Sequence, residues 1–260
     1  MAAVSFFDLD KTIIAGSSAL AFGRPFFRQG LITRGTVLRS GYAQLSLLAS
    51  GADAGTMDTL RRRITALCAG WEVSRVQEIV AASLAATVEP LLYREAVALI
   101  GARRAAGDTI AVLSASGADV VEPIATLVGA DLWRATLMDV ADGRYTGEIG
   151  YYCFGEAKAQ AAAVIAAERG VSLADCSAYT DSITDLPLLE AVGHPTAVNP
   201  DRGLRRVAGE RGWPVLDFAT PVRPGARQRR IAAAGFGAVA VGVVAGALLR
   251  SPRSGTTAAR

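Results

Sequence analysis

Two aspartates stand at the end of an apolar segment close to the N-terminus. The stretch AVSFFDLDKTIIAG (3–16) predicts a buried strand that ends at Asp8 and Asp10. Burying an ionised aspartate is costly unless a cation or hydrogen-bond donors compensate, and two neighbouring carboxylates also repel each other. The pair therefore predicts a compensating cation and a chemical role.

Similar polar groups follow two later apolar segments. Ser114 lies in VLSASG, and Asp181 and Asp185 lie in YTDSITDLP, while Lys158 opens a predicted helix in GEAK. The carboxyl ends of parallel strands face one crevice of a sheet, and ligands bind there. We expect these side chains to converge with Asp8 and Asp10.

A site of oxygen ligands without histidine or cysteine favours Mg²⁺, which binds one or two carboxylates together with a substrate phosphate. The predicted metal ligands are Asp8, Asp181 and Asp185, with Asp10 contributing a main-chain carbonyl. The pattern therefore predicts phosphoryl chemistry on a phosphate ester.

The residues then take separate roles. Asp8 is the expected nucleophile, which forms an aspartyl-phosphate, and Asp10 the general acid and then base, provided that the chain turns after the strand. The expected phosphate-binding groups are Ser114, the backbone N–H of Ala115, Lys158 and Thr12. Other roles stay open for three of these positions. Thr12 could orient the loop, and Ser114, or more naturally Ser116, could cap a helix. Asp185 could orient Lys158 or a metal-bound water, or could only interact with the dipole of a helix.

The elements that must position these groups alternate after Pro90. Repeated strand and helix patterns predict an α/β protein with a Rossmann-like, doubly wound parallel sheet. The predicted catalytic core covers 1–14 and 89–218, and an inserted all-helical cap covers 15–88. A short hairpin is expected to turn at Asp142-Gly143.

The C-terminal part has a different composition. A basic linker (219–230) leads to the apolar segment 231–249, which contains no charged residue, and a tail (250–260) follows. As a helix, 19 residues span about 28 Å, near the thickness of a bilayer core. The sequence predicts a single-pass membrane anchor, with a buried or peripheral helix and a disordered tail as alternatives.

Charges around this segment predict its orientation. The arginines before it (227, 229 and 230) outnumber those after it (250 and 253), which places the catalytic domain in the cytoplasm at the cell membrane. Small residues recur at 234, 238, 242 and 246, a spacing that favours helix packing and a possible homodimer.

Composition excludes several other classes. The net charge is only +3, without the basic stripe expected of a nucleic-acid-binding protein. The cysteines, Cys68, Cys153 and Cys176, lack metal-site spacing and predict buried, reduced thiols. Since His194 is the single histidine and lies in a turn-like context, histidine-based catalysis and metal sites are not expected.

The segments DLDKT, SAS, GEAK and DSITD resemble, in order, the four motifs of the haloacid dehalogenase-like phosphatase superfamily. The 23-residue step from Lys158 to Asp181 resembles its phosphoserine phosphatase-like branch, and residues 3–218 are similar to actinobacterial members. The resemblance implies a Mg²⁺-dependent phosphatase with a helical cap domain.

Two positions depart from this pattern. Lys11 replaces a usually small residue and could point away from the substrate or toward it. Ser17 stands where the branch carries a glutamate that pairs with the substrate ammonium, so phosphoserine is not the expected physiological substrate. The predicted anchor suggests a lipid-derived phosphate instead. Arg61–Arg63 could bind a second anion, although a solvated helix face is the favoured explanation.

Two alternatives to a hydrolase remain. A phosphotransferase would use the same aspartyl-phosphate and pass it to an acceptor alcohol. A non-enzymatic membrane adaptor could keep the fold, but the intact pair of Asp8 and Asp10 favours an enzyme.

Overall fold

The computed structural model describes residues 3–33, 65–219 and 221. Numbered along this described part, the strands are β1 (Val4–Phe7), β2 (Thr109–Gly117), β3 (Leu132–Ala141), β4 (Arg144–Tyr151), β5 (Ser177–Thr180), β6 (His194–Val198) and β7 (Val215–Leu216). The helices are α1 (Ser18–Ala21), α2 (Gly23–Arg28), α3 (Val73–Val88), α4 (Arg94–Ala105), α5 (Ala118–Leu127), α6 (Glu156–Glu168), α7 (Leu186–Ala191) and α8 (Arg202–Arg211). Short 3₁₀ turns cover Glu89–Leu91, Leu173–Asp175 and Ile183–Asp185.

The strands form a sheet in the order β4-β3-β2-β1-β5-β6-β7. All neighbouring pairs are parallel except β3 and β4, which form an antiparallel hairpin at one edge. Phe7 of β1 lies opposite Val112 of β2 and Tyr179 of β5. The strand order reverses at β1, so the crevice for a ligand opens at the carboxyl end of this strand. This arrangement confirms the predicted Rossmann-like core.

Helices cover both faces of the sheet and produce two apolar layers. Phe7 and Val112 belong to one cluster, whereas Phe6 and Ala111 point into the other, as the two-residue period of a strand requires. β1 is therefore buried on both faces, which explains why three of its four residues are apolar. Among the cysteines, Cys153 and Cys176 are buried, Cys68 is partly exposed, and all three are free thiols.

The described part of the helical insertion packs directly on the core. Helix α3 matches the predicted helix at 73–88, and its Val76 and Val80 lie in one apolar cluster with Val121 and Ile124 of α5. The chain enters and leaves this insertion side by side, because the backbone N–H of Ala15 donates to the carbonyl of Leu91 over 2.7 Å. The predicted limits of the cap stay a prediction, and 34–64 with Arg61–Arg63 lie outside the described residues.

Three local expectations have definite outcomes. The predicted turn at Asp142-Gly143 is confirmed, with φ angles of 50° and 73°, between β3 and β4. The expectation of a cap at Ser116 is wrong, because β2 continues to Gly117 and this glycine is the N-cap of α5. Helix α8 and strand β7 were not predicted, although Asp201 caps α8 by accepting the N–H of Leu204.

The C-terminal predictions fall on a part of the chain outside the description. From the linker, only 219 and 221 are described, and the expected anchor at 231–249 and the tail at 250–260 lie beyond them. Within the described ranges, no helix combines the length and hydropathy that a membrane crossing requires.

Candidate active site

The end of β1 is held inside the sheet and then turns sharply. The backbone N–H of Asp8 donates to the carbonyl of Tyr179 in β5 over 2.9 Å, and Asp8 is buried with 6% of its surface exposed. The N–H groups of Ile13 and Ile14 then both donate to the carbonyl of Leu9. The chain thus makes the turn that the role of Asp10 requires.

Lys158 connects two of the predicted site carboxylates. Its Nζ donates to Oδ1 of Asp8 over 2.6 Å and to Oδ2 of Asp185 over 2.7 Å. Thr180, the last residue of β5, donates its hydroxyl to the same oxygen of Asp185 over 2.7 Å. Asp185 therefore orients Lys158, one of the alternatives that the sequence left open.

Burial and charge act in opposite directions on this group. Burial lowers the pKa of Lys158, but the carboxylates of Asp8 and Asp185 more than offset this effect and raise it above its ordinary value. Burial raises the pKa of Asp8 to about 8, against the opposing effect of Lys158. The site holds more acidic groups than its lysines neutralise.

Asp10 is held by two serines that sequence reasoning did not select. The backbone N–H of Ser18 donates to Oδ1 of Asp10 over 2.9 Å, and the hydroxyl of Ser116 donates to Oδ2 over 3.4 Å. The hydroxyl of Ser18 donates in turn to that of Ser116 over 2.7 Å. Burial raises the pKa of Asp10, while the hydrogen bonds from Ser18 oppose this shift. A raised pKa suits a general acid.

Asp181 follows β5 and faces Lys11. The Lys11 Nζ lies 3.6 Å from Oδ2 of Asp181, so its side chain points to this carboxylate rather than away. Burial raises the pKa of Asp181 to about 6, and the charge of Lys11 opposes the shift. The position that departs from the family pattern thus lies beside a predicted metal ligand.

Two residues after β6 fix these loops and were also missed. Asn199 donates its side-chain N–H to the carbonyl of Lys11 over 3.1 Å. Asp201 donates its backbone N–H to the carbonyl of Asp181 over 2.7 Å, and its carboxylate accepts the N–H of Ile183 over 2.9 Å. An acidic residue before a helical pattern, as in NPDRGL, is an N-cap signal that could have identified Asp201.

The predicted phosphate-binding residues lie at the ends of β1 and β2. Ser114 is buried, and its Oγ accepts the backbone N–H of Ser116 over 3.2 Å. The carbonyl of Ala115 accepts the hydroxyl of Thr136 over 2.7 Å, which fixes this peptide. The hydroxyl of Thr12 is buried without a hydrogen-bond partner. Their contact with phosphate stays a prediction.

The predicted metal ligands meet the chemical requirement of a divalent cation but are held by lysines. In the described ranges, no three acidic, histidine or cysteine side chains are arranged as a ready metal site. Instead, Lys158 binds Asp8 and Asp185, and Lys11 lies beside Asp181. The carboxylate of Asp10 is held by serines. Oδ1 of Asp185 is buried and accepts no hydrogen bond. An unpaired buried oxygen among surplus carboxylates fits a Mg²⁺ site.

Comparison with known proteins agrees with this geometry. The model of the family described as haloacid dehalogenase-like hydrolase matches residues 5–190, and the chain belongs to this family. The chain is 53% identical, over 95% of its length and 88% of the relative, to a protein of Mycobacterium tuberculosis named probable phosphatase Rv3661. It is 31% identical to phosphoserine phosphatase SerB1 of the same organism, over 84% of this chain and 71% of the relative.

A solved structure supports the fold. A protein of unknown function from Bordetella pertussis superimposes with a TM-score of 0.72 at 30% identity, over 84% of this chain and 99% of that one. The comparisons confirm the resemblance inferred from the four motifs and the expectation of an enzyme of this family.

Proposed function

We propose that the protein is a Mg²⁺-dependent phosphomonoester hydrolase that works through an aspartyl-phosphate on Asp8. The observation that carries this proposal is the contact of Lys158 with both Asp8 and Asp185, at the carboxyl end of the central strand. A cation beside Asp8 keeps its carboxylate oriented and offsets the charge of an approaching phosphate.

The reaction has two steps, and side chains of this protein provide the nucleophile and carry the protons in both. An oxygen of Asp8 attacks phosphorus while the bond from phosphorus to the leaving oxygen breaks, and Asp10 gives its proton to that oxygen. Water then attacks the aspartyl-phosphate, Asp10 takes a proton from the water, and the carboxylate of Asp8 is released with inorganic phosphate. Ser18 and Ser116 keep Asp10 in place for both steps.

The residues that would hold the metal are Asp8, Asp181 and Asp185, with a main-chain carbonyl at Asp10. A bound Mg²⁺ supplies positive charge that neutralises the phosphate oxygens and brings them to the nucleophile. Lys158, Ser114, Thr12 and the N–H of Ala115 would hold the remaining oxygens.

The charges near the cap favour a substrate that is not recognised through an ammonium group. From Lys11 through Ala52, with Lys11 included, the sequence contains five basic residues and no acidic one. Ser17 is the N-cap of α1, and a hydroxyl there cannot replace a carboxylate as the partner of an ammonium. A lipid-derived phosphate or another small phosphate monoester without an amino group fits this composition better than phosphoserine.

The apolar segment 231–249 supports a location of this reaction at the cell membrane. A catalytic domain on the cytoplasmic side of the cell membrane, anchored by that segment, would meet lipid-derived phosphates where they are produced.

A panel of phosphate esters tests the proposal. We expect phosphate release by the full-length protein in detergent with Mg²⁺, with kcat/KM higher for lysophosphatidic acid and glycerol 3-phosphate than for O-phosphoserine. A preference for O-phosphoserine would contradict the substrate class, and failure to hydrolyse any ester would contradict the reaction. Added acceptor alcohols distinguish a phosphotransferase, because the phosphate would then appear on the alcohol.

A further inference from the structure

Lys11 occupies a fixed position at the edge of the site. It directly follows Asp10 and adopts a left-handed backbone with a φ of 59°. Its N–H donates to the carbonyl of Gly16 over 3.3 Å, and its own carbonyl accepts the side chain of Asn199 over 3.1 Å. Because the backbone is held on both sides, the side chain starts from a fixed point beside the carboxylates.

The two lysines of the site differ in how firmly they are placed. The side chain of Lys158 is 4% exposed and lies within 2.7 Å of two carboxylate oxygens. The side chain of Lys11 is 42% exposed, and its Nζ lies 3.6 Å from Asp181. Lys158 is enclosed, whereas Lys11 is partly exposed and carries its ammonium on a flexible four-carbon side chain.

A divalent cation and Lys11 need the same oxygens. Asp181 is the carboxylate assigned to the metal, and its position beside a lysine ammonium leaves the incoming ion facing a like charge. For the metal ion to bind, the carboxylate of Asp181 must give up its contact with the Lys11 ammonium. The cost of this exchange is small but measurable, because the Lys11 side chain is 42% exposed and water screens its charge.

We propose that Lys11 is a tethered competitor of the divalent cation, whose ammonium pairs with Asp181 in the metal-free protein and leaves this carboxylate when the ion binds. The inference rests on the proposed function, because Asp181 is assigned there to the metal. Lys11 stabilises the acidic site while it is empty and weakens the binding of the ion.

Calorimetric titration of the metal-free full-length protein with MgCl₂, without substrate, tests this competition. Lys11→Gln removes the charge and keeps a polar side chain, and Lys11→Arg keeps the charge. We expect Lys11→Gln to bind Mg²⁺ about two- to five-fold more tightly than the natural protein. Lys11→Arg should stay near the natural value. Arg206→Gln, which removes one charge from an exposed pair with Glu210, should leave the affinity unchanged.

Thermal unfolding separates competition from a purely structural role. Lys11→Gln should lower the midpoint of the metal-free protein and enlarge the rise that Mg²⁺ produces. An equal loss of midpoint with and without Mg²⁺ would show that Lys11 only supports the turn, and this outcome overturns the inference.

The titration also separates a failure of the competition by Lys11 from a failure of the proposed metal site. Equal Mg²⁺ affinity in the natural protein and Lys11→Gln overturns the competition and leaves the proposed hydrolase intact. Absence of Mg²⁺ binding in both proteins overturns the metal assignment of the proposed function, and the competition with it.

Discussion

The ammonium nitrogen of Lys158 lies 2.6 Å from Oδ1 of Asp8, and both side chains are buried at the carboxyl end of the central strand. A buried cation of this kind orients its partner and also neutralises negative charge. Because Lys158 also contacts Asp185, its removal would leave two carboxylates without a neutralising charge in a site shielded from water.

Replacing Lys158 by Met should destabilise the protein strongly. We expect the free energy of unfolding at pH 8 to fall by about 3 kcal/mol, as for a broken buried ion pair. The loss should be smaller at pH 5.5, because burial already raises the pKa of Asp8 to about 8 and a proton then neutralises this carboxylate. Urea unfolding at both pH values measures the difference.

A second variant checks the cause. Adding Asp185→Asn to Lys158→Met removes one of the two buried carboxylates left without a cation and should recover part of the stability at pH 8. If the double variant is as unstable as the single one, lost packing of the lysine chain explains the effect rather than charge.

Replacing Asp8 by Asn should abolish turnover while the fold survives. An amide is isosteric with the carboxylate and can still accept the hydrogen bond from Lys158, but it cannot attack phosphorus. We expect kcat to fall by at least about 10⁴-fold, with a thermal midpoint near that of the natural protein. Phosphate release from a phosphate ester under Mg²⁺ gives the rate.

Asp142→Asn is the matched control for this change. Asp142 is exposed at the turn between β3 and β4, where asparagine also tolerates the positive φ of 50°. Its rate should be unchanged. Normal turnover by Asp8→Asn would exclude the proposed nucleophile.

The sheet and the meeting of Lys158 with Asp8 and Asp185 could be predicted from the sequence because their signals are local. The strands β1, β2 and β5 are buried along most of their length and lead directly into polar residues, a pattern typical of buried parallel strands. Asp8, Asp181 and Lys158 follow from the requirement that a charge at such a strand end has a partner. The convergence of these three residues needs only the parallel order of the strands.

The supporting contacts could not be predicted because they join distant parts of the chain. The orientation of Lys11 depends on its left-handed backbone, which Asn199 holds from 188 positions away in sequence. Ser18 and Ser116 meet across 98 positions, although each looks like an ordinary serine beside a helix. A pattern of residue types carries no information on such pairs.

The hydroxyl of Ser116 should tune the pKa of Asp10, the proposed general acid. Ser116→Ala removes a hydrogen bond to the carboxylate of Asp10 and therefore raises the pKa of this group further. We expect kcat to fall about three- to ten-fold, with little change of KM. The alkaline limb of the pH profile should move to higher pH, because Asp10 must be protonated to act as an acid.

Ser83→Ala provides the comparison, since the hydroxyl of Ser83 donates within helix α3, to the carbonyl of Ile79. It should leave the profile unchanged. A fall in kcat for Ser116→Ala without movement of the alkaline limb would show that Ser116 acts only on local packing.

Metal binding should depend on pH in a definite direction. The carboxyl groups of Asp8 and Asp181 have pKa values raised from 3.8 to about 8 and about 6 in the metal-free protein. The folded state therefore holds protons that the unfolded chain has released, and its free energy of unfolding falls as pH rises from about 4 to 8. Mg²⁺ must displace the same protons, so its apparent affinity rises over this range.

We expect the apparent dissociation constant for Mg²⁺ to be roughly tenfold or more lower at pH 8 than at pH 5.5. At one hundred times this constant, Mg²⁺ adds about 2.7 kcal/mol to the stability. The rise in thermal midpoint, measured against NaCl of equal ionic strength, should be largest at pH 8 and should be lost in Asp181→Asn. A rise that is independent of pH would mean that Mg²⁺ binds away from these carboxylates.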